Sequence, residues 1–180
     1  MPVAKLAGGP TQDEIMAVSL LKLGLCSTDS VLEIGCGTGK VTVAMAKQAK
    51  HVYSLDKRHE AVSLSTETAR HAGAHNIDFF CTDAMEYLKN DQVFDCAFLG
   101  GTKNLAEILP VLSKKVKRTI VINAVMLSTL EQAVAILKRL GLFCEVVQVQ
   151  VSRSYDIAGS FMFRPIDPVF IIVARGAACS

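Results

Sequence analysis

Short apolar runs along this chain alternate with longer segments in which apolar residues recur every three or four positions. The runs are rich in β-branched and aromatic residues, as strands are, whereas the longer segments have the spacing of amphipathic helices. Strands that alternate with helices of about 10–15 residues indicate βαβ units and a parallel sheet covered by helices on both faces. The predicted strands are residues 30–34, 51–55, 76–80, 94–99 and 119–122.

The pattern changes after a helix predicted near residues 128–139. Apolar runs at 143–151 and 168–174 have no helical pattern between them, so these two strands must be antiparallel if they are adjacent. We predict an α/β fold, doubly wound and Rossmann-like, whose mostly parallel sheet carries an antiparallel strand pair at its C-terminal end. Residues 152–167 are predicted to be a long loop on the substrate side, since long loops are often functional.

Local signals mark where two helices should begin. Thr11 with Glu14, and Ser128 with Glu131, have the spacing of a capping box, and Gly24 is expected to end the first helix. We therefore divide a single domain of 180 residues into an N-terminal arm and helix (1–29), a core (30–140) and a C-terminal strand region (141–180).

Composition narrows the class of protein. Hydrophobic residues make up 51% of the chain and charged residues 20%, which excludes a wholly disordered protein. The net charge of +2 argues against a broad nucleic-acid-binding surface, although a local basic patch stays open. Six cysteines without a C-x-x-C pair predict reduced thiols. Because we find neither a secretory leader nor an apolar run of roughly 18 residues, we expect a cytoplasmic protein without a membrane partner.

The sharpest local feature is a glycine-rich turn between the first predicted strand and the helix after it. Gly35, Gly37 and Gly39 let the backbone turn tightly and let a ligand approach without meeting a side chain. Asp56 ends the second predicted strand, where its carboxylate can accept hydrogen bonds from both hydroxyls of a ribose. Together these residues predict a site for a nucleoside cofactor.

Two other nucleotide-binding loops do not fit this turn. A Walker A loop, G-x-x-x-x-G-K-[ST], fails because Ile34 occupies the first glycine position and Val41 the Ser/Thr position. The dinucleotide pattern G-x-G-x-x-G/A lacks its last small residue, since Lys40 stands there.

The run E-x-G-x-G-x-G from Glu33 to Gly39 resembles motif I of the class I S-adenosylmethionine-dependent methyltransferases. The resemblance implies that the loop Gly35-Cys36-Gly37-Thr38-Gly39 holds the methionine part of the cofactor. It also implies that Asp56 holds the ribose and that the turn Thr82-Asp83-Ala84 contacts the adenine. Structural interpretations stay open, because Asp56 and Asp83 can each cap the helix that follows and Glu33 can anchor loop amides.

The end of the fourth predicted strand bears on the methyl acceptor. The segment Leu99-Gly100-Gly101-Thr102-Lys103 has neither the Asp/Asn-Pro-Pro-aromatic run of amino-methylating nucleic-acid enzymes nor the Pro-Cys nucleophile of cytosine-C5 enzymes. We expect the Gly-Gly turn to leave room for a bulky acceptor and to face it with backbone N–H groups. The alternative is a tight turn with a structural role only.

Beyond the glycine loop, four segments match a single family in order and spacing: Gly9-Pro10-Thr11, Leu99-Gly100-Gly101, Asn123-Ala124-Val125-Met126-Leu127 and Ser152-Arg153. They resemble the decarboxylating cobalt-precorrin-6B C15-methyltransferases of cobalamin biosynthesis, in their stand-alone form. The resemblance implies a class I fold, a homotetramer and S-adenosyl-L-methionine as methyl donor, with S-adenosyl-L-homocysteine as product. It further implies that Thr11 and Gly100 help to hold the cofactor.

The acceptor that the family implies is a tetrapyrrole, a corrinoid precursor methylated at C15 with decarboxylation of its C12 acetate. Such a macrocycle carries many carboxylates, which call for cations beside an apolar cleft. Lys103, Arg153 and Arg164 are the candidate cations, and Thr102, Asn123 and Arg153 are the expected polar contacts to the substrate.

Two other functions stay open. An RNA (tRNA) methyltransferase can share this turn, and its affinity for RNA should fall steeply with salt. A non-catalytic subunit would bind the cofactor without turnover. We predict no metal site, because Gly73 interrupts the helix that would align His71 with His75. The basic run at 114–118 is expected to be a solvated helix end rather than a nucleic-acid site.

Overall fold

A seven-stranded sheet, a separate two-stranded hairpin and six helices make up the part of the chain that the computed structural model describes, Gly9 and residues 11–177. The strands are β1 (Ser30–Ile34), β2 (His51–Asp56), β3 (Ile77–Cys81), β4 (Phe94–Leu99), β5 (Val116–Ala124), β6 (Phe143–Val149), β7 (Ser152–Ile157), β8 (Ser160–Pro165) and β9 (Val169–Arg175). The helices are α1 (Asp13–Leu23), α2 (Lys40–Ala46), α3 (His59–His71), α4 (Ala84–Tyr87), α5 (Leu105–Ser113) and α6 (Leu127–Arg139).

The order of strands in the large sheet is β3-β2-β1-β4-β5-β9-β6. The first five strands of this order are parallel, and β9 runs antiparallel to both β5 and β6. The predicted α/β class and the mostly parallel sheet with antiparallel strands at its C-terminal end are confirmed. The chain reverses its direction of crossover between β1 and β4, and ligands of such sheets bind in the crevice outside the carboxyl ends of the strands there.

Two hydrophobic cores lie on opposite faces of the sheet. Successive side chains of a strand point to opposite faces, so Leu32 packs in the core with α5 and α6 while its neighbour Val31 packs with α1 and α2. Both side chains are fully buried. β1 is therefore fixed from both sides, and the loop that follows it starts from a rigid support.

The ends of the helices only partly follow the local signals. Gly24 ends α1 in the left-handed conformation, with a φ of 59°, as predicted. The capping box at Thr11 is absent: Gln12 precedes α1 without a capping side chain, and the Glu14 carboxylate bonds Arg153 instead. The second box is also absent, because α6 begins at Leu127 and Ser128 lies inside the helix.

Residues 152–167, predicted to be a long loop, instead contain the antiparallel hairpin of β7 and β8. Its turn is Ala158-Gly159, with positive φ angles of 48° and 77°, which suit a two-residue hairpin. The side chains of Phe161, Met162 and Phe163 are all more than half exposed. Because neither face of the hairpin is buried, its sequence lacks the alternation of apolar and polar residues that identifies a strand.

No helix among the described residues is long and apolar enough to cross a membrane. Within the same part of the chain, His, Cys, Asp and Glu side chains form no group of three that could hold a metal ion. The cysteines at positions 26, 36, 81, 96 and 144 are free.

Candidate active site

A cavity of about 880 Å³ lies at the carboxyl ends of the parallel strands. It brings together most residues that were expected to hold the cofactor: Thr11, Glu33, Gly35, Cys36, Gly37, Thr38, Asp56, Asp83, Ala84 and Gly100. Gly39 lies behind the loop against α3 and is absent from the lining. Thr102, Lys103 and Asn123, expected on the acceptor side, line the same cavity.

The three glycines of the loop are required for two different reasons. A Cβ atom on Gly35 would lie 2.5 Å from the amide nitrogen of Gly101, and one on Gly39 would lie 2.8 Å from the Cα of Ser65. These two positions are fixed by close packing. Gly37 has a φ of 54°, and a Cβ there would meet no protein atom within 4 Å. Gly37 therefore faces open space, and it also lines the cavity.

Hydrogen bonds fix the backbone of this loop on all sides. The amides of Gly35 and Cys36 donate to the carbonyl of Leu55 at the end of β2, at 2.7 and 3.1 Å. From α3, the Ser65 hydroxyl donates to the carbonyl of Gly37 at 3.0 Å, and the Thr68 hydroxyl donates to that of Thr38 at 2.9 Å. The shape of the loop is thus set by the protein before any ligand binds.

The Gly-Gly turn after β4 differs from expectation. The amides of Gly100 and Gly101 both donate to the carbonyl of Ile34, at 3.0 and 2.9 Å, instead of facing an acceptor. The expectation of free N–H groups was wrong, because the parallel pairing of β4 with β1 brings this turn directly against the end of β1. The turn still lines the cavity, with no side chain at either position.

Asp56, at the end of β2, presents an almost fully buried carboxylate at the cavity wall. Arg58 donates to it from its backbone N–H, its Nε and its Nη2, at 3.0, 3.0 and 2.9 Å, and Gly37 donates its amide at 3.3 Å. Burial alone would raise the pKa of Asp56, but the hydrogen bonds and charge of Arg58 and the Gly37 amide hold it below its ordinary value. Asp56 is therefore ionised at neutral pH. We did not predict Arg58, although its place two residues after Asp56 was a usable signal.

Glu33 in β1 is more deeply buried, with only 1% of its surface exposed. Its Oε2 accepts hydrogen bonds from the hydroxyls of Thr42 at 2.5 Å and Ser54 at 2.6 Å. Burial raises the pKa of Glu33 to about 7, in spite of the two hydroxyl donors. Glu33 thus ties β1 to α2 and β2 through hydroxyls, not through the loop amides that we had considered.

Asp83 combines the two interpretations that the sequence left open. Its Oδ1 accepts a hydrogen bond from the amide of Met85 at 2.9 Å, so it caps α4. Glu86, three residues later in α4, bonds Lys89. Asp83 and its neighbours Thr82 and Ala84 also line the cavity, so capping and contact with a ligand are compatible.

On the acceptor side, Asn123 at the end of β5 is placed by α1. The Ser19 hydroxyl lies 3.1 Å from the Asn123 Oδ1. The Nδ2 of Asn123 is the one buried side-chain nitrogen or oxygen in the described residues that has no hydrogen-bond partner. The amide is therefore held at one end and lacks a partner at the other.

Two of the three predicted cations lie outside the cavity. Arg153 donates to the Oε2 of Glu14 at 2.7 Å and to the Oε1 of Gln12 at 3.2 Å. The guanidinium of Arg164 lies 4.7 Å from the centre of the Tyr155 ring. The structure brings only Lys103 of this group to the cavity wall.

Comparison with known proteins decides the family. Residues 5–175 match the family model of the precorrin methyltransferase domain. The chain belongs to the precorrin methyltransferase family. A relative from Methanosarcina mazei, named as a cobalt-precorrin-6B C(15)-methyltransferase (decarboxylating), is 42% identical over 179 residues, which cover 96% of this chain and 97% of the relative.

Two solved structures are similar to this precorrin methyltransferase. A precorrin-8w decarboxylase from Methanobacterium thermoautotrophicum has a TM-score of 0.88 and 28% identity, over 92% of this chain and 91% of its own. A precorrin-6y C5,15-methyltransferase from Geobacter metallireducens has a TM-score of 0.89 and 28% identity, over 96% and 94% of the two chains. The predicted family is confirmed, and with it a methyltransferase that uses S-adenosylmethionine and releases S-adenosylhomocysteine.

The residues around the cavity of this precorrin methyltransferase fit that cofactor. The open space above Gly37 admits a ligand against bare backbone. The ionised carboxylate of Asp56 suits a sugar with two adjacent hydroxyls, and its burial strengthens hydrogen bonds made there. Ala84, at the start of α4, contributes a small side chain to the cavity wall and so leaves room for a flat base.

Proposed function

We propose that this precorrin methyltransferase transfers a methyl group from S-adenosylmethionine to C15 of cobalt-precorrin-6B and removes carbon dioxide from the C12 acetate side chain, in anaerobic cobalamin biosynthesis. Relatives that carry this name and match nearly the whole chain support the proposal. The observation that carries it is one cavity that extends from Gly37 and Asp56 to Asn123 and Ile166. Such a cavity allows cofactor and acceptor to lie side by side.

In the cofactor half of the cavity, we assign one part of S-adenosylmethionine to each structural element. The glycine loop receives the methionine part, the end of β2 the ribose, and the turn before α4 the adenine, while Thr11 and the Gly-Gly turn close the site. The residues assigned to these contacts are Thr11, Glu33, Gly35, Cys36, Gly37, Thr38, Gly39, Asp56, Asp83, Ala84 and Gly100. Gly39 acts by shaping the loop, since it lies behind it, and Glu33 acts by tying β1 to α2 and β2 beneath the loop.

S-adenosylmethionine supplies a methyl group that its sulfonium already activates. The protein therefore has to align the acceptor carbon with that methyl group and exclude water, which are effects of proximity and desolvation. The loop is suited to alignment because its backbone is fixed by hydrogen bonds from β2 and α3.

The apolar part of the wall suits decarboxylation. Ile15, Phe98, Val125, Ile166 and Val169 line the acceptor side. In this step the carbon–carbon bond of the acetate breaks, its electron pair enters the conjugated macrocycle, and the macrocycle takes up a proton. An apolar wall disfavours the compact charge of the carboxylate relative to charge dispersed over the ring, so it favours this step.

We propose Thr102 and Asn123 as polar contacts of the substrate and Lys103 as the cation for one of its carboxylates. All three line the cavity, and the unpartnered Nδ2 of Asn123 supports its role. The position of Arg153 does not support a contact with substrate, because its guanidinium bonds residues at the start of α1.

We also propose that the protein is a homotetramer assembled through the β7–β8 hairpin. A two-stranded hairpin is marginally stable on its own. The exposed Phe161, Met162 and Phe163 would be covered by other copies of the chain, which would stabilise the hairpin. The free cysteines are compatible with the cytoplasmic location that we propose for this enzyme.

Incubation with S-adenosylmethionine and cobalt-precorrin-6B tests the function. We expect a product whose mass shows the gain of one methyl group and the loss of carbon dioxide. A tRNA transcript under the same conditions serves as the control acceptor and should stay unmethylated. Methylated tRNA, or cofactor binding without turnover of the tetrapyrrole, would contradict the proposal.

A further inference from the structure

The start of α1 is held by two cations that come from distant parts of the chain. From the first residue of α2, Lys40 donates to the carbonyl of Thr11 at 3.0 Å and pairs with the carboxylate of Asp13 at 2.8 Å. From β7, Arg153 pairs with Glu14 at 2.7 Å. Four consecutive residues, 11–14, are thus bound from the cofactor loop on one side and from the hairpin on the other. We refer to these residues as the clasp.

The clasp is also part of the cavity wall. Thr11 and Gln12 line the cavity, as does Ile15 one residue after the clasp. Ile15 is 3% exposed and packs in the core, which anchors the clasp on its C-terminal side. No capping side chain fixes the first turn of α1. The two cations therefore supply polar side-chain restraints on the end of α1 that borders the cavity, beside the packing of Ile15.

Both cations belong to segments that lead directly to the wall of the cavity. Lys40 follows Gly39 directly and itself lines the cavity. Its hydrogen bond to Thr11 therefore connects the end of the glycine loop to the clasp. Arg153 belongs to the hairpin, and Ile166, which follows the hairpin, lines the acceptor side. The clasp thus joins the cofactor half of the cavity to the acceptor half.

We propose that the clasp closes one side of the cofactor site and that Lys40 and Arg153 are positioning residues which slow the release of S-adenosylmethionine and S-adenosylhomocysteine. The proposal rests on the placement of the cofactor in this cavity. It assigns to Arg153 a role in retaining the cofactor, through Glu14, in place of the contact with substrate that its sequence position suggested.

The test measures dissociation rates of both ligands by displacement with excess competitor, for the full chain and for Lys40→Met and Arg153→Met. Each variant should release the ligands about three- to fivefold faster, the upper part of the range that loss of one exposed ion pair allows. Lys22→Met is the matched control, because Lys22 pairs with Glu145 at 2.7 Å near the other end of α1. Its dissociation rates should equal those of the unmodified protein.

Exchanging the charges of Arg153 and Glu14 distinguishes loss of the ion pair from general damage to the fold. Arg153→Glu alone should accelerate release, and Arg153→Glu combined with Glu14→Arg should restore the original rate, with unchanged melting temperature. Unchanged dissociation rates in Lys40→Met and Arg153→Met would overturn the proposal that the clasp retains the cofactor. Failure of the charge exchange to restore the rate would also overturn it. If Asp56→Ala also leaves cofactor affinity unchanged, the error lies in the placement of the cofactor; if Asp56→Ala weakens binding, the error is confined to the clasp.

Discussion

The guanidinium of Arg58 binds the carboxylate of Asp56 through two side-chain hydrogen bonds, from Nε to Oδ1 at 3.0 Å and from Nη2 to Oδ2 at 2.9 Å. Only 6% of the surface of Asp56 is exposed, and a buried carboxylate needs such donors to stay charged. The Gly37 amide reaches the same carboxylate, so the end of β2 and the glycine loop form one unit. That unit is where we expect the sugar of the cofactor to bind.

Replacing Asp56 by Ala should weaken binding of S-adenosylmethionine by about 1–3 kcal/mol, because it removes the charged acceptor of two hydroxyls. Isothermal titration calorimetry measures the change. Asp78→Ala is a suitable control, since Asp78 pairs with His51 at 3.0 Å and is not part of the cavity wall. Equal affinity of the Asp56→Ala variant and the unmodified protein would reject the role in binding the ribose.

Glu33 should make the stability of the protein depend on pH. Burial raises its pKa to about 7, from an ordinary value of 4.5. Between these two pH values the folded state therefore binds one more proton than the unfolded state. The contribution of Glu33 to the free energy of unfolding is fully present below pH 4.5 and is lost as the pH rises through 7. The difference between the two pKa values corresponds to roughly 3 kcal/mol in the free energy of unfolding.

The variant Glu33→Gln removes this dependence while it keeps an oxygen that can accept from Thr42 and Ser54. In urea denaturation, its free energy of unfolding should rise relative to that of the unmodified protein by roughly 3 kcal/mol between about pH 4.5 and 8. Parallel pH profiles for the two proteins would show that burial does not raise the pKa of Glu33 above its ordinary value.

Two glycines of the loop should respond differently to substitution. Gly37→Val should abolish cofactor binding at a cost of about 1–2 kcal/mol in stability, because the new side chain enters the cavity and φ is positive. Gly35→Ala should destabilise the fold itself, since its Cβ would lie 2.5 Å from a backbone nitrogen. Melting temperature and cofactor affinity, measured together, distinguish the two effects. Full affinity in Gly37→Val would remove the loop from the proposed site.

The hairpin should determine the oligomeric state. Phe161→Ser combined with Phe163→Ser should shift the protein from the proposed tetramer to smaller species, because it removes the apolar surface that other copies would cover. Light scattering after size-exclusion chromatography gives the molar mass. Leu21→Ser is the control, since Leu21 is 76% exposed on α1, outside the hairpin. A mass that does not change in the double variant would count against assembly through the hairpin.

The parts of the fold that are buried on both faces could be predicted from the sequence. β1 and β4 are mainly apolar on both faces because Val31, Leu32 and Phe98 pack against helices on one face or the other. The hairpin could not be predicted in this way, because its exposed faces leave no periodic pattern. Its turn at Ala158-Gly159 carried the only local signal.

In the site, the meeting of the glycine loop with Asp56 and Asp83 in one cavity could be predicted, because the carboxyl ends of parallel strands lie at the same edge of the sheet. The hydrogen-bond partners of Arg153 and of the Gly-Gly turn could not be predicted from the sequence. Nothing near Arg153 in the sequence indicates that it lies beside Glu14, and nothing at Gly100 indicates that Ile34 accepts its amide hydrogen. Both contacts depend on how distant segments pack in the folded sheet.

A crystal structure of the protein with S-adenosylhomocysteine tests the central claim most directly. We predict that the two ribose hydroxyls lie within hydrogen-bond distance of the Asp56 carboxylate, that the homocysteine part crosses the backbone of Gly37, and that the adenine lies beside Ala84. Density for the ligand at any other surface, with nothing bound at the glycine loop, would contradict the account.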